Sequence, residues 1–393
     1  MRRAVPSEHR NRWITPVFAL VLVGVGVAAW TVAMQAQQAV LESQSGSISD
    51  VALDPAAANF RAFTEPTPTG LVLHTAIESG QPELTGVTFM ASADGGQGGT
   101  VLSIPSTFVH LGGQNVPLRE LFTEVGFLAV VAEMESALGI GFSEVVVLDA
   151  RSWTSLMTPD LPLEFTLSTD LVENVSATER RTVLAAATRP WDLREIELIA
   201  SHRNPDEPFL LLANRQQAIW RAWVSRTASS AERPDIFSLD EGFVDLIGDL
   251  SNGEVSYRNI SAAAAAGETP GATTYVADTD AVLDLISQVV PFPTSAEPGD
   301  RPSVMLLDGT GGVYDQLPVL STVVRSGGQV AILGNAERFD LPSTEVRVHS
   351  PEAAEVATEL AQRLGVAAPV ESPLTEATVA ITVIVGADLL PSS

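Results

Sequence analysis

Two side chains that carry out much of the covalent chemistry of proteins, cysteine and lysine, are missing from this chain. None of its 393 residues is cysteine, which removes thiol nucleophiles, zinc thiolates and disulfides. None is lysine either, so every basic residue is arginine and neither a P-loop lysine nor a Schiff base is available. The five histidines (His9, His74, His110, His202 and His349) show no metal-ligand spacing. No Gly-x-Ser-x-Gly stands out to support a serine hydrolase. Gly95-Gly96-Gln97-Gly98-Gly99 is followed by a strand pattern, whereas a phosphate-cradling loop opens a helix, so it reads as a hairpin turn. Asp308-Gly309-Thr310-Gly311-Gly312 lacks the full Gly-x-Gly-x-x-Gly and reads as a tight strand-to-helix turn. What remains is arginine and the residues around it. Arg215, on a helix, could bind a phosphate or pair with a neighbouring acid. Arg203 and Asp206 lie in a Pro-containing loop that reads as a solvated turn or, more sharply, as part of an anion site.

The elements that would position these residues follow from the hydrophobic pattern. Short β-branched or apolar runs at 71–73, 87–91, 100–104 and 145–148 read as strands. Between them, Leu118, Leu121, Val125, Leu128, Val131, Met134 and Leu138 recur at helical spacing, and Gly139 stops the helix. Further helices are expected at 193–201, 215–224 and 278–289, and a strand at 254–257. Residues 262–266 read as a loop or a short helix end. From 303 onward the pattern is cleaner: strand 303–307, helix 314–325, strands 329–333 and 344–348, helix 351–364, strand 379–385. Pro351 at the start of that last helix and Gly365 after its end are the usual asymmetry. This β-α-β-β-α-β order is that of a split βαβ, or ferredoxin-like, sandwich. The Pro- and Ser-rich stretches at 35–69 and 291–302 read as a stalk and an interdomain linker.

Charge and hydropathy place the molecule. Residues 14–34 contain no Asp, Glu, Arg, Lys or His, and about 20 apolar residues span a bilayer core. Arg2, Arg3, Arg10 and Arg12 precede this run with only Glu8 opposing, so residues 1–12 are expected in the cytoplasm, 13–34 as a transmembrane anchor, and the rest outside. The formal net charge is −26. An acidic surface of that size argues against nucleic acid as a partner. An exported chain without disulfides fits a bacterial envelope.

Several stretches resemble the LytR-CpsA-Psr family of cell-envelope proteins. Thr100-Val101-Leu102-Ser103-Ile104-Pro105 resembles the family strand that leads into Ser-Ile-Pro-Arg-Asp. Residues 120–156 resemble its long helix, Leu-Gly break and following strand, and Asn214-Arg215-Gln216-Gln217 its Arg-Gln-Gln helix. Residues 304–311, Gly334-Asn335-Ala336 and 383–388 match the LytR-type C-terminal domain. The resemblance implies an α/β/α sandwich at 70–290, a LytR-type domain at 303–390, and transfer of an anionic glycopolymer from a polyprenyl-pyrophosphate carrier to peptidoglycan. That chemistry needs arginine clamps and usually a divalent metal held by carboxylates.

The matching positions have lost much of this charge. Ser106 and Thr107 stand where the family has Arg-Asp. Two family aspartates fall near His74 and Gly86. Arg203, Arg215 and Asp206 are retained as candidates, the two arginines for phosphate and Asp206 with Ser106 and Thr107 as a site remnant. The resemblance thus implies the fold and compartment, while the lost charges argue against the reaction. The expectation is a membrane-anchored, non-catalytic protein supporting envelope glycopolymer assembly, without a cofactor. Its expected partners are the cytoplasmic membrane and a polyprenyl-linked glycopolymer, peptidoglycan or an envelope protein. The alternative is an active phosphotransferase, the one reading that calls for Mg²⁺. Leu118, Leu121, Phe122, Phe127, Leu128, Val131, Phe142 and Trp153 either fill a core or, as the resemblance implies, line a lipid tunnel.

Overall fold

Alternating side chains in the first half of the chain sort onto the two faces of one sheet. The computed structural model describes residues 54–390, apart from 79, 150–151, 154–155, 157–161, 177, 229–240, 266–271, 313–314 and 373–378. The expected span at 13–34 lies outside the described residues, and among these no helix is long and apolar enough to cross a membrane. The chain divides into two units, one up to Phe60 and one from Arg61. Of the first, residues 54–60 are described and form a succession of turns.

From Arg61 the chain runs β1 (Arg61–Phe63), β2 (Thr69–Glu78), β3 (Gln81–Ser92), β4 (Gly99–Pro105), β5 (Phe108–Val109), α1 (Leu118–Glu124), α2 (Phe127–Leu138) and β6 (Glu144–Leu148). There follow β7 (Leu163–Leu167), β8 (Leu171–Asn174), β9 (Arg180–Leu184), β10 (Ala187–Trp191), α3 (Leu193–Ser201), α4 (Phe209–Ala228), α5 (Glu241–Ser251), β11 (Val255–Asn259), β12 (Ala262–Ala264), β13 (Tyr275–Ala277) and α6 (Thr279–Val289). The C-terminal elements are β14 (Ser303–Asp308), α7 (Leu317–Arg325), β15 (Gln329–Asn335), β16 (Glu345–Val348), α8 (Ala354–Leu364), β17 (Val370–Glu371) and β18 (Ile381–Val385).

The central sheet has the order β11-β4-β3-β2-β6. Its inner three strands form an antiparallel meander, and β11 and β6 join its edges in parallel. The two-residue period sends Leu71, Leu73, Phe89, Leu102 and Ile104 to one face, where they meet Leu118, Val130, Met134 and Ile286 of α1, α2 and α6. It sends Val72, Met90, Val101 and Val146 to the other, against Ile219, Trp220, Trp223, Phe243 and Leu246 of α4 and α5. Two apolar cores on one sheet make three layers.

Several expectations from pattern meet a different local structure. The single helix expected at 118–138 is two, because Gly126 lies at φ 113, a value that side chains with a Cβ avoid. Gly139, at φ 68, closes α2 with its N–H on Glu135 O at 2.8 Å. The glycine cluster at 95–99 does turn between antiparallel β3 and β4. Residues 262–264 form a strand paired with β13, not a helix end. Residues 163–191, unassigned from pattern, hold the antiparallel pairs β7–β10 and β8–β9.

The C-terminal region keeps the expected order of elements but not the expected pairing. Its sheet runs β1-β15-β14-β18-β16-β17. A split βαβ places another strand between the two joined by the first helix, yet β14 and β15 are direct parallel neighbours. β18 lies parallel on the other side of β14, and β16 is antiparallel to β18. The arrangement is therefore not ferredoxin-like. The order of elements along a chain leaves the order of strands across a sheet open, and here the outer edge of β15 is closed by β1.

From Arg61 onward, the stretches read as stalk and linker are bonded into this unit. Thr64 N–H donates to Ala331 O (3.1 Å), and Thr67 N–H to Phe292 O (2.8 Å). Thr294 bridges to Gly141. Arg301 donates to the carbonyls of Gly139, Val324 and Gly328, tying the end of α2 to the end of α7. Burial without a carboxylate partner lowers the pKa of its guanidinium to about 10; the C-terminal carbonyls of both helices stabilise its charge.

Candidate functional site

A cleft of about 990 Å³ opens beside the far end of the β2–β3 hairpin. Ile77, Phe122, Val147 and Phe209 give it an apolar wall. Thr85, Ser152, Asn174, Ser201 and Asn204 contribute hydroxyls and amides, and Glu83, Asp149, Glu197, His202 and Arg203 the titratable groups.

The loop between α3 and α4 forms much of the rim. Helix α3 begins where the pattern requires, with a capping box in which Asp192 and Glu195 satisfy each other's backbone N–H. It ends at His202 in extended conformation. The loop then reverses through Asp206, which sits at φ 62, and wraps around Glu207. The Glu207 carboxylate accepts from Asn204 N–H (2.9 Å) and from Arg215, while its carbonyl accepts from Arg203 (3.1 Å).

This arrangement separates the candidate residues. Arg215 is 8% exposed. Its guanidinium pairs with buried Glu207 and donates to His202 O and Ile199 O, so every nitrogen serves the fold. Arg203 does line the cleft, with its guanidinium 4.5 Å from the centroid of the Phe209 ring. Asp206 turns outward: its side chain is 81% exposed and pairs with Arg180 at 3.1 Å. Ser106 and Thr107 lie in the buried turn between β4 and β5, away from the cleft walls. Thr107 Oγ1 donates to Thr273 O at 2.8 Å, and the Ser106 carbonyl accepts from Arg119 N–H at 2.8 Å. Arg203 and Arg215 thus meet on Glu207, one at its carbonyl and the other at its carboxylate.

Two contributors escaped the sequence reading. Glu207 is the centre of the loop, but an acid eight residues before an arginine, across Pro208, is no recognisable spacing. Arg119 reaches the same ring as Arg203, 4.7 Å from the Phe209 centroid, and pairs with Glu83 at 2.8 Å. Its place at the start of α1 was legible; its partner on β3 was not.

The positions where the resemblance would place metal-binding carboxylates form a neutral, filled floor. His74 is buried, stacked on Trp153 with ring centroids 5.2 Å apart, and bonded through Nε2 to Thr88 Oγ1 at 2.8 Å. Burial pushes its pKa down to about 3, so the ring is neutral at pH 7. Gln216 donates to Thr85 Oγ1 (3.0 Å) and Ala200 O (2.9 Å), and Thr85 donates to His74 O (3.1 Å). A Cβ on Gly86 would stand 2.2 Å from Gln216 Oε1, so the amide already fills the space of a side chain there. These groups do not fit a divalent cation, which takes several oxygen ligands, carboxylates foremost. Among the described residues no group of three or more His, Asp or Glu is placed to hold a metal ion.

Neither a family model nor a curated protein matches the chain. Similar solved structures do exist. "TagT bound to LI-WTA" is 15% identical over 61% of this chain and 92% of that one, with a TM-score of 0.46. A "LytR-CPS2A-psr family protein YwtF (TagT) with bound octaprenyl pyrophosphate lipid" is 14% identical over 61% and 92%, at 0.43. TagV of B. subtilis is 14% identical over 56% and 96%, at 0.44.

Proposed function

We propose that this protein is a membrane-anchored, extracytoplasmic component of cell-envelope assembly that binds a ligand or partner in its cleft and transfers no phosphoryl group. The observation that carries this reading is the internal pairing of Arg215 with Glu207. A pyrophosphate must be held by several convergent cations, and Arg215 is used up inside the fold. What lines the cleft is Arg203 with Asp149, Glu197 and a Glu83 that is already paired with Arg119. The floor that would need carboxylates for a metal is built from His74, Thr85, Gly86 and Gln216, and no step through a metal follows from it. The motif resemblance supports the envelope role, and the uncharged segment at 14–34 supports the anchor. A lining that mixes apolar side chains with hydroxyls and amides suits an amphiphilic occupant, such as a lipid-linked glycopolymer or a wall fragment.

A transfer and pyrophosphatase assay with a polyprenyl-pyrophosphate analogue and Mg²⁺ tests this reading. The wild-type chain should show no turnover, and any cleft binding should weaken in Arg203→Ala and Phe209→Ala. Turnover that disappears in Arg203→Ala would establish the phosphotransferase instead. Arg215→Ala is a poor probe, because its loss would unsettle the fold as well as any site.

A further inference from the structure

The corner between α1 and α2 exposes large apolar side chains that the fold leaves uncovered. Val125 is 70% exposed, Phe127 43% and Leu128 69%. They are consecutive but for Gly126, whose φ of 113 turns the chain sharply and pushes all three outward. From Val125 to Ala132 the sequence carries no charge, although the protein as a whole is strongly acidic. One helical turn before Val125, Phe122 contributes to the cleft wall, along with Ile77 and Val147 at 72% and 40% exposure. An apolar projection of this kind, one helical turn from the apolar lining of the cleft, marks a surface that another phase or molecule covers.

We propose that this corner seats in the interfacial layer of the lipid bilayer and so turns the apolar side of the cleft toward the membrane. The occupant is argued from the rest of the chain. The uncharged segment ends at Met34 and the unit that carries the corner begins at Arg61, about 27 residues later, a separation of at most ~95 Å even when fully extended. A domain held so close meets the bilayer at a high effective concentration, and a few apolar side chains then suffice for lasting contact. The uncharged run limits the desolvation cost of that contact. A lipid-linked ligand would reach the cleft along Phe122 and Val147 without crossing water. This proposal rests on the anchored reading of residues 13–34.

The absence of cysteine makes a site-specific test clean. The full chain, reconstituted in phosphatidylcholine vesicles, carries one environment-sensitive fluorophore at Leu128→Cys or, as a control, at Val370→Cys on the C-terminal sheet. The label at 128 should shift to the blue and be quenched severalfold by lipids bearing a quencher near the headgroup. The label at 370 should remain aqueous, and Val125→Asp should return the label at 128 to water while the chain stays anchored. A label at 128 as aqueous as that at 370, in chains that float with the vesicles, would overturn the docking and leave the anchor standing. Chains that fail to float would overturn both. A blue shift without lipid quenching, lost on diluting protein in lipid, would show a contact between copies and also overturn the proposal.

Discussion

Arg215 hydrogen-bonds through all of its guanidinium nitrogens to Glu207 and to two carbonyls of its own fold. Breaking a buried pair leaves one charge unpaired at a cost of about 3–5 kcal/mol. Arg215→Ala and Glu207→Ala should each lower the urea midpoint accordingly. The double variant should lose much less than the sum, as a double-mutant cycle would read. Pairing with an acid was one of the two roles that the sequence offered for Arg215, but neither the partner nor the burial of the pair was legible. Its partner is brought near by the reversal at Asp206, which no spacing rule encodes. His74 gives a second prediction at this scale. Its folded pKa, about 3, lies below its unfolded value, so the unfolded chain binds the proton first as pH falls. The stability it confers is complete above pH 6.5 and is lost toward pH 3, at about 1.4 kcal/mol per unit. Between pH 7 and pH 4.5 the wild type should lose about 2–3 kcal/mol more than His74→Gln by urea denaturation; equal losses would show that the imidazole is not held neutral.

The strands and helices were far more legible than their junctions. The meander β2–β3–β4 follows from short apolar runs and a glycine turn, both local signals, and helix α3 was read over its full length. The break at Gly126 was hidden because Leu121, Val125 and Leu128 keep helical spacing across it. The neutral floor under the cleft was hidden for the opposite reason: it joins β3, α3 and α4, and only packing brings Gly86 against Gln216. That contact makes a prediction. Gly86→Asp, the change that restores an acid where the resemblance expects one, should cost about 1–3 kcal/mol through overpacking. Adding Gln216→Ala should recover some of the loss, measured by thermal unfolding, because it vacates the space. If Gly86→Asp alone is neutral, Gln216 does not occupy that space in solution.

At the scale of the molecule, the pieces between elements do as much as the elements. Arg301 reaches three carbonyls on α2, α7 and the turn after α7. Removing its donors strands those acceptors, at about 1–3 kcal/mol. Arg301→Ala should therefore expose residues 291–302 to thermolysin, which should spare them in the wild type; equal resistance would show that the arginine is not what holds the segment. The reading of this stretch as a linker came from its proline and serine content, which reports local backbone habit and says nothing of an arginine staple at its end. The first strand carries a similar lesson about order. β1, although it precedes every other element from Arg61 onward, completes the sheet made by the C-terminal strands, antiparallel to β15. Any pull transmitted along the polypeptide from residues before Arg61 therefore enters the molecule at the edge of that C-terminal sheet. The edge strand is held by only a few rungs, which can break in succession. A force applied from that side should therefore meet β1 and its partner β15 before it meets the central sheet.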